Sequence, residues 1–430
     1  MNKHQVRARL GRLVLACSLP ICSLPAISFA AVSLVTTETE VQAASTPLSL
    51  KYALQLTLQQ NPQLKAYPYY VRQLDGEVTQ ANISPIPRAE LELSSDEATL
   101  TLSQNFELGD KRKARVGFTN AKQEQLQAEF EIAKLDILAE TSRRYYQLLA
   151  LQKQKTLLST RIGQEKRALK IINQRALAGS VAQADVATMA LGLARSSNTL
   201  EQLEFSITLQ QDALSAMWLG LDQTGFSQLL GNLSQLPKLP SDEVLTNIIS
   251  QGINQLPDYR YQIALARLAD SRVSLNQASS NADLNLGLGL RHNDTSGDQS
   301  LVLTASMPLN FNNPNRGRIA SAQAQQALSY EQLELKRQQL TIELTRIQTR
   351  LKKEQQLAQR INRDLLPLAS ELLSTTQKAY RQGQYSVLQW IDAQNQVFNL
   401  EQDLINSQVR IFNQVLELER ILGQSIVTAQ

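Results

Sequence analysis

Past residue 30 the chain keeps one histidine, His292, and no cysteine, because His4, Cys17 and Cys22 all precede that point. A zinc or copper site built on thiolates or imidazoles needs several such ligands. A Ser-His-Asp hydrolase needs a positioned imidazole base, and one histidine in the polar run Arg291–Gln299 is read as a solvated loop residue. The sequence therefore points away from an enzyme and toward no metal and no other cofactor. What remains for chemistry is carboxylate. Glu90, Glu92 and Glu107 fall on the polar positions of an alternating segment, and Asp185 and Asp392 each follow a glycine turn within a long helical run. On an isolated helix such acids are ordinary solvated surface, whereas several copies gathered around an axis would attract cations and repel anions.

The charge balance shows where the chain works. There are 43 lysines and arginines against 39 acids, and the excess of four is Lys3, Arg7, Arg9 and Arg12, with no acid before Glu38. Without residues 1–30 the count is 39 of each, so no basic footprint for nucleic acid is left. Residues 1–30 read as a secretory signal: a basic start, an apolar run from Leu13 to Ala30, and the small-residue ending Ser28-Phe29-Ala30. Val41-Gln42-Ala43 offers an alternative cleavage near 43. Pro20 and Pro25 spoil the run as a permanent membrane helix. Cys17 follows Val14-Leu15-Ala16 but stands too close to Arg12 for a lipoprotein signal, so lipidation is not expected.

The elements that must carry these residues come twice. Asn61-Pro62-Gln63-Leu64 answers Leu256-Pro257-Asp258-Tyr259 at an offset of 195. Lys111-Arg112-Lys113-Ala114-Arg115 answers Pro314-Asn315-Arg316-Gly317-Arg318 at 203, Gly179 answers Gly383 at 204, and Leu219-Gly220 answers Leu422-Gly423 at 203. We read repeat one over 48–231, with a helix, a β-hairpin at about 88–107 and a long helical hairpin at about 113–219. A linker follows at 232–241. Repeat two covers 242–424, with its β-hairpin at about 283–309 and its helical hairpin at about 319–422. In Asp283–Arg291 every even position is leucine and every odd one polar or glycine, the period of a two-faced strand. The helical runs are Leu-, Gln-, Ala- and Glu-rich, and at ~1.5 Å per residue the first of each pair spans roughly 90–100 Å. Gly163 and Pro367 sit at matching places in the two runs and predict a bend or a change of helix at each.

Leucine-faced strands leave open edges that invite aggregation in water and cannot survive in lipid, so they call for a closed barrel. Four strands are too few to close a transmembrane barrel, and several copies together are not. Gln104-Asn105-Phe106-Glu107-Leu108-Gly109-Asp110-Lys111-Arg112-Lys113-Ala114-Arg115, its counterpart Met307–Phe311 with Asn315–Ala320, and Leu365-Leu366-Pro367 leading into Ala379-Tyr380-Arg381-Gln382-Gly383 carry a family likeness. From Leu48 to Gln424 the chain resembles the TolC-type outer-membrane factors, and within them the outer-membrane component of cobalt-zinc-cadmium type efflux systems. Asp110 stands where that branch normally has glycine.

The resemblance implies a mainly α fold with a small β part, and a homotrimer. Twelve strands would form a barrel in outer-membrane lipid, continuous with a periplasmic α-helical barrel. It implies a periplasmic adaptor (membrane fusion) protein and an inner-membrane pump of RND type as partners, and passive passage of divalent heavy-metal cations. A drug-efflux or type I secretion duct of the same family is the alternative, and a non-channel periplasmic coiled-coil scaffold stands behind it. Asp392 matches an aperture acid whose companion position is Gln389 here. Asp185 and Tyr380 match a tip latch in which Tyr385 replaces the arginine. The tips Gly179, Ser180, Val181, Gly383 and Gln384 are expected to touch the adaptor. Glu90, Glu92 and Glu107 are expected, from alternation, to face the barrel lumen.

Overall fold

A computed structural model describes residues 47–218, 229–237, 242–247, 252–309 and 312–424. The signal segment with both its cleavage positions, Leu219-Gly220 and linker residues 238–241 lie outside these. Two helices, α1 (Leu50–Gln60) and α2 (Pro62–Ala81), lead into strands β2 (Arg88–Leu93) and β3 (Glu97–Phe106). Then come α3 (Lys111–Leu177) and α4 (Gln183–Ser215). Beyond a short α5 (Asp242–Asn247) the order recurs as α6 (Pro257–Ala278), β5 (Leu284–Asn293), β6 (Gln299–Ser306), α7 (Arg316–Arg360), α8 (Leu366–Arg381) and α9 (Val387–Leu422). Two-residue strands β1 (Leu48–Ser49) and β4 (Leu229–Leu230) pair in parallel beside α3. Among the described residues no helix is long and apolar enough to cross a membrane.

The long helices are held by seams at coiled-coil spacing. Leu340, Leu344, Ile347 and Leu351 of α7 meet Ile411, Val415, Leu418 and Leu422 of α9, each set at steps of four, three and four, and all are buried in one cluster. A second cluster gathers Ala53, Tyr145, Leu148, Leu214 and Trp218 with Ile405 and Phe412. Leu233, in the stretch read as linker, is buried in that core. The third cluster lies at the helical turns.

α3 runs 67 residues, ~100 Å at the α-helical rise, as one unbroken helix through Gly163. No change of helix occurs there, since an interior glycine costs the helix entropy but leaves every hydrogen bond intact. The matching place in the second repeat does change: residues Ile361–Leu365 form a π turn in which the Leu366 amide donates to the Ile361 carbonyl. Pro367 is the cause. It supplies no N–H and its ring crowds the preceding turn, and the wider turn accommodates both.

All four long strands form one antiparallel sheet in the order β2-β3-β5-β6. The register sorts side chains into rows. Leu91, Leu100, Leu290 and Leu301 align on one face, as do Ala89, Leu102, Leu288 and Leu303. The opposite face carries Glu90, Thr101, Gly289 and Val302, then Glu92, Thr99, Arg291 and Ser300. The leucine face is uncovered, with Leu290 64% and Leu303 76% exposed. The polar face is crowded: a Cβ on Gly287 would come 2.4 Å from Thr304 Oγ1, and one on Gly289 2.7 Å from Thr101 Oγ1. β5 reaches Asn293, so His292 belongs to the strand and not to the loop, with its Nε2 3.4 Å from Asp294 Oδ1.

Candidate functional site

Where β3 passes into α3 the chain turns through two left-handed residues, Gly109 (φ 73°) and Asp110 (φ 57°). A Cβ on Gly109 would collide with Asn281 at 1.9 Å. Asp110 is the only described non-glycine residue with positive φ, which explains why glycine suits that place. Ion pairs clamp this turn. Lys111 Nζ lies 2.6 Å from Asp283 Oδ1, and the Leu108 amide donates to the same oxygen at 3.3 Å. Burial raises the Asp283 pKa, but Lys111, the Leu108 amide and Asn105 outweigh it and hold the carboxyl below its ordinary value. Arg115 grips Glu107 with both terminal guanidinium nitrogens (Nη2–Oε2 2.9 Å) and donates to the Ala81 and Ile83 carbonyls. Glu107, placed on the lumen side by alternation, is therefore bound into the junction. Glu90 and Glu92 remain exposed on the polar face.

At the opposite end both hairpins close with one motif. Gly179 (φ 74°) donates to Ala176 O at 3.0 Å and Ser180 to Arg175 O at 2.9 Å. Gly383 (φ 78°) donates to Tyr380 O at 3.0 Å and Gln384 to Ala379 O at 3.0 Å. These are the paired bonds of a left-handed glycine cap, which satisfies carbonyls that the helix end would otherwise leave unpaired. Gly179, Ser180, Gly383 and Gln384 thus have a structural duty, and Val181 packs partly into the core of the turns.

Gln389 closes a capping box: its Oε1 accepts from the Ser386 amide at 2.9 Å while its own amide donates to Ser386 Oγ at 3.4 Å. Asp392, one turn on, is exposed and accepts from Gln396 Nε2 at 3.0 Å. Asp185, in the first turn of α4, makes no bond to Tyr380 or Tyr385 among the described residues. Tyr380 is only 4% exposed and stacks on Trp390 with ring centroids 5.1 Å apart. Its hydroxyl has no hydrogen-bond partner among the described residues, and Tyr385 stands out in solvent. No bond of the latch expected from sequence is therefore formed within one chain, where the Tyr380 ring lies buried against Trp390.

Sequence reasoning missed the tie that is present. Arg175, in the last turn of α3, donates to the Tyr380 carbonyl (3.2 Å) and the Arg381 carbonyl (3.0 Å), with its guanidinium 5.0 Å from the Tyr380 ring centroid. It caps the carbonyl end of α8 and binds the two turns together. Further up, Arg161 donates to Glu165 Oε1 (2.7 Å) and Asn395 Oδ1 (2.7 Å) and lies 4.5 Å from the Phe398 ring centroid. Ser196 also donates to Glu165, which is 5% exposed, so α3, α4 and α9 are joined around a cavity of about 310 Å³. The only sequence signal for Arg175 was a basic residue in a last helical turn. Arg161 had none, since Asn395 lies 234 residues away.

Among the described residues no cluster of histidine, cysteine and carboxylate could hold a metal. The profile of the outer membrane efflux protein family matches residues 53–218 and 248–424, each stretch holding one β-hairpin and one helical hairpin. The cobalt-zinc-cadmium resistance protein CzcC of Cupriavidus metallidurans is 24% identical over 386 residues, 89% of this chain and 91% of that protein. Outer membrane protein VceC of Vibrio cholerae has a similar fold, with a TM-score of 0.72 at 20% identity over 87% of this chain and 96% of VceC. The channel CusC gives a TM-score of 0.74 at 14% identity, over 87% and 92%. With an uncovered leucine face above helices too polar to span lipid, and a family profile matched over most of its length, this chain belongs to the outer membrane efflux protein family, channels of the outer membrane with a large periplasmic part.

Proposed function

We propose that three copies of this chain form the exit duct of a tripartite efflux system that conducts divalent heavy-metal cations passively to the exterior. The four-stranded sheet carries this reading. Its leucine face is uncovered, and β2 and β6 each leave an edge unpaired. Lipid suits the first feature and forbids the second, and closure by further copies resolves both. Three chains supply twelve strands, with the crowded polar face turned to the lumen.

The helical hairpins then extend into the periplasm as a tunnel. Their glycine turns meet a periplasmic adaptor protein, beneath which an RND-type inner-membrane pump supplies the energy. Three Asp392 carboxylates around the axis favour cations at the aperture. With Gln389 beside each, the ring is less negative than one with two acids per chain. The latch of Asp185, Tyr380 and Tyr385, lacking a guanidinium, holds the closed state weakly. The likeness to CzcC, named for cobalt, zinc and cadmium resistance, supports the choice of substrate.

Planar-bilayer recording tests the duct. Cation-preferring conductance steps are expected, with the preference reduced by Asp392→Asn. Purified protein that inserts without conducting would reject the duct. A deletion strain challenged separately with divalent metals and organic drugs tests the substrate. Drug sensitivity with unchanged metal tolerance would replace the heavy-metal assignment with a drug-efflux one.

A further inference from the structure

On the polar face of the sheet the charged strand residues are Arg88, Glu90 and Glu92 of β2, Glu97 of β3 and Arg291 of β5. Two of them cancel: Arg291 Nη1 lies 3.6 Å from Glu97 Oε2, and the other Glu97 oxygen accepts from Asn293 Nδ2 at 3.2 Å. The other three stand alone. Arg88, Glu90 and Glu92 are exposed, and none forms an ion pair among the described residues. The register explains why. Arg88 shares its row with Ser103, Gly287 and Thr304, and Glu90 shares its row with Thr101, Gly289 and Val302. In both rows β2 supplies the one charged side chain. It is also the longest, since Gly287 and Gly289 already lack room for a Cβ.

Arg88 opens β2 on the side of the helices, and Glu92 lies beside the β2–β3 turn. An ion rising from the helices therefore passes Arg88 first, Glu90 next and Glu92 last, at steps of ~6.8 Å along the strand. Closure by further copies adds no countercharge. It sets β2 of one copy beside β6 of another, and β6 carries only Ser300, Val302, Thr304 and Ser306 on that face. Twelve strands ~4.8 Å apart and tilted by about 40° enclose a backbone radius of about 12 Å. Side chains on that wall leave little of the lumen beyond the ~8 Å screening length of physiological salt.

We propose that Arg88 determines ion selectivity in the barrel: three copies form a basic ring at the inner end of its lumen, beneath the acidic rings of Glu90 and Glu92. The inference rests on reading three copies as a duct with the polar face inward, and it adds a second charge zone to that lumen. Each ring draws in mobile ions of opposite sign and repels those of its own. The Arg88 ring gathers small anions where cations leave the helical tunnel. It thereby holds the cation preference of the barrel below what Glu90 and Glu92 alone would give. Departing divalent cations meet counter-ions there before they reach the acids.

The test uses the full-length protein in planar bilayers under a potassium chloride gradient. Every variant also carries Asp392→Asn, so that the distant aperture does not mask the barrel. Arg88→Gln is expected to raise the potassium-to-chloride permeability ratio about twofold, Arg88→Lys to leave it within about 20%, and Glu90→Gln to lower it about twofold. These differences should shrink as salt rises from about 0.1 to about 1 M, because the screening length falls from ~10 to ~3 Å. No cysteine follows residue 30, so an Arg88→Cys variant offers the only thiol past the leader. A cationic methanethiosulfonate added to the chamber should restore the ratio that arginine gives, and an anionic one should raise it further. An unchanged ratio in Arg88→Gln, or equal effects of the two reagents, would overturn the ring. So would Arg88→Lys behaving like Arg88→Gln, since the side chain would then act through its shape and not its charge. Protein that inserts without conducting rejects the duct and the ring together, whereas conductance with a ratio indifferent to residue 88 rejects the ring alone.

Discussion

The hairpin of α3 and α4 and the hairpin of α7, α8 and α9 end in the same glycine turn, but their helices are built differently. α3 is unbroken over 67 residues, whereas its counterpart is interrupted by a π turn ahead of Pro367. α9 starts under a complete capping box, whereas α4 starts at Ala182 with no side-chain cap. One hairpin has a continuous shaft and a bare returning start. The other has an interrupted shaft and a secured one. Closing a turn needs only a residue at ease with positive φ, so both repeats solve it alike. Helix straightness and helix starts depend on single residues, and there the repeats are free to diverge. Arg175 and the buried cluster of Ile172, Val186 and Met189 with Tyr380 and Trp390 then join the unequal hairpins, so movement of the interrupted one must first release them.

Removing that join should have the largest effect. Trp390→Ala empties a site 4% exposed at the centre of the turn core, and a loss of about 3–5 kcal/mol is expected. Hydrogen exchange should show both turns losing protection together. If only α8 and α9 loosen, the hairpins are not coupled there. Next, Gly163→Pro should give α3 the break it lacks at a cost of about 3 kcal/mol, and Pro367→Ala should straighten the α7–α8 region. Spin-label distances across each site check this, and an unchanged bend after Pro367→Ala would transfer its cause from the proline to packing.

A third prediction concerns the junction that clamps the start of α3. The folded Asp283 carboxyl is held below its ordinary value of 3.8. Its contribution is therefore complete above the unfolded pKa and is lost as pH falls through the lower folded one. Acid titration should release the β3–α3 junction at low pH, and Asp283→Asn should remove that dependence at a cost of about 1 kcal/mol. The smallest effect compares helix starts. Ser386→Ala should destabilise α9 by about 0.5–1 kcal/mol, and Ala182→Ser should stabilise α4 by a similar or smaller amount. Amide exchange in each first turn reads both.

How much of this was legible follows the range of each interaction. The strands were plain because alternation is local: Leu284 to Leu290 specify a face whatever lies beyond. The glycine turns were plain because Gly179 and Gly383 stand alone between helical runs. The helix changes ahead of Pro367 and not at Gly163, since only proline removes a donor. Glu107 falls on a lumen-side position by alternation, and only the fold pairs it with Arg115, eight residues on. Tyr380 looked like a latch for Asp185, but its burial against Trp390 depends on how α8 and α9 pack.

The sequence by itself determined that the chain carries no thiol and only one histidine past residue 30, that it alternates leucine on short strands, and that it builds helices far longer than a globular domain holds. These are properties of composition and period, and each residue contributes independently. Tertiary structure alone decided that the four strands join into one sheet with its leucine face bare, that Arg175 ties the two turns, and that Arg88 shares its row with Ser103, Gly287 and Thr304. Each depends on groups distant in the chain being brought within a few ångströms. No local rule encodes that proximity; it arises only when the helices pack along their shared apolar seams.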